Sequence, residues 1–470
     1  MSGQTTAASG RSTGRGTELV LLVFSLALSM AAYASVGLAH DGELPAGMLG
    51  YGSGLALLFG IAHVVLRRFA PYADPVLLPA VTAINGLGLA VIHRLDLAYA
   101  DRAEALGTDV PSAAAPAQLT WTAVGVALFV VVLLVVRDHR VLQRFTYTAM
   151  VIGLGLLLLP LLPLIGTTIN GARIWIRLLG FSFQPGELAK IVLLVFFAGY
   201  LVVKRDVLAL AGRRVAGIDL PRARDLGPVL VAWAASLGVL VFERDLGTSL
   251  LFFGVFIAML YVATERLSWL LIGVALFLSG SFLAWTLFGH VRERVDIWLN
   301  AFAPRNVNDD SYQLVQGLFG MGTGGLLGKG LGQGRPEIVP YAQTDFIVAA
   351  IGEELGLAGL MAVLLVYAII VQRGLRTAIA VRDSFGKLLA AGLAFSIALQ
   401  VFVVVGGVTR LIPLTGLTMP FLSYGGSSLV ANWAIVALLL RISDAARRPA
   451  PPPAVSLQDA KTQVVRVSPR

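Results

Sequence analysis

Apolar and polar positions alternate along this chain in long blocks. Runs of about 16 to 25 apolar residues recur from end to end, the length that crosses a hydrocarbon core of ~30 Å as an α-helix. Twelve such spans are predicted: 19–39, 49–66, 76–92, 121–136, 147–165, 188–203, 226–242, 248–264, 268–288, 346–371, 387–407 and 427–441. Two polar stretches between them are long, 93–120 and 289–345. The pattern predicts an all-α polytopic membrane protein, because only helices and closed barrels satisfy their backbone groups in lipid. Residues 19–441 form one multi-span domain in this reading. Residues 1–18 and 442–470, rich in Ser, Thr and Gly or in Pro and Arg, are expected as disordered tails.

Composition agrees with the pattern. The 470 residues are 57% hydrophobic and 13% charged, whereas a soluble domain carries about 25% charged residues. There is no cysteine, so disulfides and thiolate metal sites are excluded. The first apolar run is too long for a signal-peptide core and is expected to be retained as a helix.

The net charge of +9 becomes informative once it is distributed over the loops. With the N-terminus in the cytoplasm, two thirds of the Lys and Arg fall on the cytoplasmic side and the exterior is net acidic. The loop holding Lys204, Arg205, Arg213, Arg214, Arg222 and Arg224 alone fixes that orientation by the positive-inside rule. Both termini are then cytoplasmic, and 289–345 is a large exterior loop. The basicity favours contact with anionic inner-leaflet lipid and gives no reason to invoke nucleic acid.

Candidate chemistry lies at the exterior ends of the spans. Asp345 closes the polar loop and meets the apolar run 346–371, with Glu353 and Glu354 two turns deeper. A carboxylate at such depth is costly unless paired or lining a polar cavity; a solvated helix cap is the competing interpretation. Glu187 and Lys190 lie three apart on one helical face after Pro185, either as a structural ion pair or as part of a polar pocket. Arg173, Trp175 and Arg177 alternate, so that stretch is short and either extended or interfacial, Trp175 alone fitting an aromatic belt, and Glu243 and Asp245 sit in a tight hairpin. The apolar connection from Gly406 to Ser428 is interrupted by Pro413 and Pro420, a backbone tolerated at membrane depth only inside protein or beside a water-filled cavity. The glycine-dense stretch 317–334 contains a G-x-G-x-x-G match that no strand precedes, so it is not a dinucleotide site. A phosphorylated, lipid-linked substrate and an ion-coupled transporter fit this mixture of acids, cations and an aromatic equally well.

Six stretches, in order, resemble the SEDS family (shape, elongation, division and sporulation) typified by RodA and FtsW. They are Asn170 to Trp175, Gln184 to Lys190, Asp245 to Ser249, Tyr312 to Gln316, Thr344 to Gly356 and Pro420 to Ser428, within a core of about 150–441. Ile92 to Asp96, Arg382 to Lys387 and the Arg/Pro tail are nearer to an actinobacterial RodA than to an FtsW. Two spans exceed the family's usual ten, and Gly186 replaces the serine of the family's Gln-Pro-Ser-Glu.

The resemblance implies a peptidoglycan glycosyltransferase of the plasma membrane. It would polymerise lipid II on the outer leaflet during cell elongation, with a class B penicillin-binding protein as partner and a growing glycan strand as acceptor. It makes Asp345 the catalytic acid or base. Arg173, Trp175, Glu187, Lys190, Asp245, Gln316, Arg410 and Ser423 would line the substrate cavity. Glu187 and Asp245 would hold a divalent cation, Mg²⁺ or Mn²⁺. A lipid II flippase and a non-catalytic scaffold for the transpeptidase are the competing functions.

Overall fold

A computed structural model describes residues 14–163, 165–169, 171–178, 181–208, 211–215, 218–221 and 226–449. Eleven helices among the described residues are long and apolar enough to cross a membrane. They are α1 (Arg15–His40), α2 (Met48–Phe69), α3 (Leu77–Leu106), α4 (Ala114–Val135), a continuous helical stretch His139–Leu161 whose central part is α5 (Thr146–Leu158), α6 (Pro185–Leu208), and then, after α7 (Gly227–Phe242), α8 (Leu246–Thr264) and α9 (Leu267–Leu287). Beyond α10 (Gly289–Leu299), α11 (Tyr312–Gly324) and α12 (Ile347–Glu354) come α13 (Gly356–Ala380), α14 (Ser384–Val408) and α15 (Gly426–Arg447). The twelfth predicted span, 226–242, is α7. Its 16 residues rise about 24 Å at 1.5 Å each, short of the hydrocarbon thickness, and it packs on α8 through the hairpin at Glu243–Asp245.

Burial separates the helices by role. α15, α3 and α14 are buried along most of their length, whereas α9 exposes Leu, Val and Phe and α13 exposes Leu, Met and Ile. The central three carry small or weakly polar residues where neighbours approach, as membrane helices do. Trp433 of α15 illustrates this: it is fully buried and meets Phe59 of α2, Phe129 of α4 and Phe421 at ring centroids 5.6–5.7 Å apart.

Four predicted boundaries move. α3 runs on to Leu106 instead of ending at 92, because its polar second half (Arg94, Asp96, Tyr99, Arg102) finds partners in other segments. α15 continues to Arg447, so 442–447 is helix and not tail. Arg441 there donates to the Phe69 carbonyl at 2.7 Å, and Asp444 accepts from the Tyr72 N–H at 2.9 Å. α1 begins at Arg15, inside the expected tail, where buried Glu18 pairs with Arg15 and with His63 Nδ1 of α2 at 2.6 Å. The rest of both expected tails, 1–13 and 450–470, lies outside the described residues.

The fourth is the predicted span 346–371, which is two helices. Gly356 breaks it with a left-handed φ of 68°, and a Cβ there would lie 2.2 Å from the Gly328 nitrogen. Only glycine allows that approach. Gly352 and Gly356 have the small-xxx-small spacing of packed membrane helices, yet the second of them begins a new helix.

Two small sheets interrupt the helical pattern. β1 (Gly166–Ile169), β2 (Ala172–Leu178) and β3 (Phe181–Phe183) form an antiparallel sheet before α6. A two-stranded ribbon, β4 (Ala211–Val215) with β5 (Ile218–Pro221), lies in the basic loop.

Candidate functional site

Three helices bring the first cluster together. α6 begins at Pro185, whose missing N–H suits the first helical turn, and Glu187 and Lys190 follow on one face. Both are buried. Lys190 Nζ donates to Glu187 Oε2 at 2.8 Å and to Gln400 Oε1 of α14 at 3.0 Å. Gln400 in turn donates from Nε2 to the Thr418 carbonyl at 2.8 Å, tying the irregular connection 409–425 to the same point. Glu187, Lys190, Thr248 and Gln400 line a void of about 10 Å³, room for one water molecule. Ion pair and polar pocket, open alternatives in the sequence, are here the same object.

Asp245 caps α8. Its carboxylate accepts from the Thr248 N–H at 2.9 Å and from the Thr248 hydroxyl at 2.6 Å. Burial pushes its carboxyl above the usual range; Thr248 and the Arg294 guanidinium oppose that shift, and nearby Glu187 adds to it. Its neighbour Glu243, 4% exposed, is pushed by burial and by Asp245 up to about 8.

Asp345 ends the turn before α12. Its Oδ1 accepts from the Thr344 hydroxyl at 3.0 Å, and burial raises its carboxyl against the opposing pull of Thr344 and Arg294. Gln343, two residues earlier, is held by a 2.9 Å bond from the Tyr99 hydroxyl to Oε1 and a 2.7 Å bond from the Tyr424 N–H to its carbonyl. Tyr341 and Phe421 on either side of this junction are left-handed (φ 54° and 65°), a strained conformation for bulky residues that clusters at functional sites. The deeper acids are structural. Glu353 accepts from Lys329 Nζ at 2.8 Å and the Arg335 N–H at 2.9 Å, and Glu354 accepts from Arg94 Nε at 3.0 Å. They fasten the glycine-dense stretch against α12 and α3.

Arg294 is the residue that sequence reasoning missed. It acts electrostatically on both Asp245 and Asp345, donates to the Leu414 carbonyl at 2.8 Å, and lies at an apolar cavity of about 500 Å³ bordered by α8, α9 and α14. Val291, Arg294, Val295 and Trp298 all line that cavity. An arginine inside an i, i+3, i+4, i+7 apolar stripe was the available signal.

The remaining predicted residues lie at other contacts. Arg173, on β2, donates to the Pro160 and Leu162 carbonyls at 3.1 and 3.3 Å, and its N–H donates to the Glu243 carbonyl at 3.1 Å. Trp175, two residues on, pairs with Thr167 of β1. Arg410 donates to the Trp298 and Leu299 carbonyls and so caps α10. The Ser423 hydroxyl accepts from the Met419 N–H at 2.9 Å within its own turn. Gln316 is half-buried on α11.

Glu187 and Asp245 do not fit a cation-binding pair in this arrangement. Lys190 already supplies the positive charge at Glu187, Thr248 satisfies Asp245, and no group of three or more His, Asp or Glu among the described residues could hold a metal ion.

Comparison with known proteins follows the same lines. The family described as "Cell cycle protein" (FtsW, RodA and SpoVE) matches residues 75–448. The chain is 53% identical over 438 residues to the peptidoglycan glycosyltransferase RodA of Mycobacterium tuberculosis, covering 93% of this chain and 92% of the relative. It is 35% identical over 329 residues to stage V sporulation protein E of Bacillus subtilis, covering 69% and 86%. Among solved structures it resembles a chain of a peptidoglycan synthase complex that coordinates polymerization and crosslinking (28% identity, TM-score 0.59, 80% of this chain and 99% of that one). The rod shape determining protein RodA of Thermus thermophilus matches at 25% identity and TM-score 0.53, over 80% and 98%. With the family match spanning most of the chain and a 53% identical relative covered almost end to end, this protein belongs to the FtsW/RodA/SpoVE family.

Proposed function

We propose that this protein is a peptidoglycan glycosyltransferase of the RodA kind, a multi-pass plasma-membrane enzyme that polymerises lipid II into glycan strands during cell elongation. Asp345 carries the proposal. It is a half-buried carboxylate whose one hydrogen-bonding side-chain partner among the described residues is Thr344, and Arg294 is the cation that acts on it.

In this reading Asp345 takes the proton from the 4-hydroxyl of the acceptor GlcNAc as that oxygen attacks C1 of the lipid-linked MurNAc. The C1–O bond to phosphate breaks, undecaprenyl diphosphate leaves with the bonding electron pair, and the configuration at C1 inverts. A base poised by burial in this way supplies about 10²–10⁴-fold. Arg294 balances the negative charge that develops on the departing diphosphate. Lys190, Glu187 and Gln400 keep α6 and α14 in register with the connection that carries Thr418. A divalent cation, if the reaction uses one, would be held by the substrate's diphosphate oxygens and not by Glu187 or Asp245. The transpeptidase partner is a class B penicillin-binding protein, by analogy with the synthase complex that the chain resembles.

The test is lipid II polymerisation by the purified protein with its partner, comparing wild type with Asp345→Ala. The variant should make no glycan while remaining folded and partner-bound. Glycan at wild-type rate from Asp345→Ala would leave the scaffold function standing in its place.

A further inference from the structure

The two N-terminal helices precede the matched family region, which begins at residue 75. They brace α3. Tyr33 of α1 stacks between Tyr51 of α2 and His93 of α3, with ring centroids 4.2 and 4.7 Å apart. The Tyr51 hydroxyl donates to the Gly86 carbonyl at 3.0 Å, and the Ser25 hydroxyl to the Pro79 carbonyl at 2.9 Å. α1 and α2 therefore hold α3, and Leu331 of the loop before Asp345 packs into the same Tyr33 cluster.

α3 in turn reaches the loop that carries Asp345 at three points. Arg94 donates from Nε to Glu354 Oε1 at 3.0 Å and from an Nη to the Gly334 carbonyl at 2.9 Å. Arg102 donates to the Glu337 carbonyl at 2.8 Å. Tyr99, between them, donates its hydroxyl hydrogen to Gln343 Oε1 at 2.9 Å. Gln343 is the residue nearest Asp345 that is gripped from two elements, since the Tyr424 N–H holds its carbonyl.

We infer that Tyr99 is a positioning residue for Asp345, acting through Gln343, and that α1 and α2 hold α3 so that it can do so. The inference rests on Asp345 being the catalytic base. Tyr99 touches neither substrate nor the reacting atoms; it fixes the backbone two residues before the base. A misplacement of about 1 Å at a reacting group costs up to ~10²-fold in rate, so loss of one such anchor is expected to lower kcat by about 10-fold.

Three variants test it in the full chain with its partner and lipid II as substrate: Tyr99→Phe, Gln343→Leu and the double variant. Tyr99→Phe removes a single oxygen and keeps the ring. We expect kcat to fall about 10-fold with KM unchanged, with equal losses in both single variants and no further loss in the double. Tyr33→Leu, which removes the stack, should lower kcat in the same sense. Wild-type kcat in Tyr99→Phe, or losses that multiply in the double variant, would overturn the positioning role; wild-type kcat in Tyr33→Leu would overturn the bracing role. Asp345→Ala run alongside separates the two levels. An active Asp345→Ala overturns the base assignment itself, whereas an inactive one beside a wild-type Tyr99→Phe overturns this inference alone.

Discussion

Arg410 and Trp298 grip each other reciprocally. Arg410 Nε donates to the Trp298 carbonyl at 2.7 Å, and the Trp298 indole N–H donates to the Arg410 carbonyl at 3.1 Å. A second guanidinium bond, to the Leu299 carbonyl at 2.8 Å, completes the cap of α10 and fixes the helix that carries Arg294. Arg410 does this from a left-handed backbone, φ 61°. Arg410→Ala is expected to lower stability in detergent by about 2 kcal/mol, since hydrogen bonds to charged groups contribute about 1.5–3 kcal/mol each. Arg410→Lys should recover little, because an ammonium cannot reproduce the planar fork. A melting temperature unchanged in Arg410→Ala would return this residue to substrate binding.

The Lys190–Glu187 pair yields a sharper contrast between single and double variants. Both side chains are buried, and the ammonium also bonds Gln400. Lys190→Met leaves an uncompensated carboxylate and should cost about 3 kcal/mol or more. Adding Glu187→Gln removes the stranded charge and should restore most of that loss. Thermal unfolding of the two single variants and the double measures the coupling; additive losses would show that the pair is not a unit.

Asp345 must be ionised to act as a base, and burial raises its carboxyl. The acidic limb of the polymerisation rate against pH should therefore lie above the ordinary Asp value of about 3.9. Arg294 favours the ionised form, so Arg294→Gln should move the limb further up as well as slow the reaction. Initial rates across pH decide this. A limb that stays put in Arg294→Gln would remove Arg294 from the base's surroundings.

Legibility from sequence followed range. The apolar runs identified every long helix, and the i, i+3 spacing of Glu187 and Lys190 identified their pairing, because both signals are local. Gln400, which completes that pair, is more than two hundred residues away and has no local signature. The break at Gly356 was hidden because small-xxx-small spacing serves helix packing and helix termination equally; only the approach of Gly328 decides between them. The alternation of Arg173, Trp175 and Arg177 left extended and interfacial chain open, and antiparallel partners on both sides, set by tertiary contact, decide for extended. Asp345 stood out as a carboxylate at the edge of an apolar run; Arg294, in a helix with four charged residues, was masked by its neighbours.

A divalent cation that enters with the substrate separates activity from binding. Excess chelator should slow polymerisation. The lipid-free protein should nonetheless show no tight stoichiometric Mn²⁺ in an electron paramagnetic resonance titration, because the carboxylates of Glu187 and Asp245 are already occupied by Lys190 and Thr248. One tightly bound Mn²⁺ per chain, lost in Asp245→Asn, would contradict that arrangement.

Glu243 makes stability depend on pH in a direction opposite to the usual salt-bridged acid. Its carboxyl is raised from 4.5 to about 8 by burial and by Asp245, so the folded protein holds one more proton than the unfolded chain across that interval. Stability is then fullest below the unfolded value and is lost as pH rises through about 8, with a slope of at most about 1.4 kcal/mol per pH unit. Above that, both states are ionised and the slope vanishes. Glu243→Gln keeps the buried shape without the ionisation and should flatten the dependence between pH 5 and 8, readable as melting temperature in detergent. A wild-type protein whose stability rises over that interval, or a Glu243→Gln variant with the same slope, would show that this hairpin carboxyl ionises freely in the folded state.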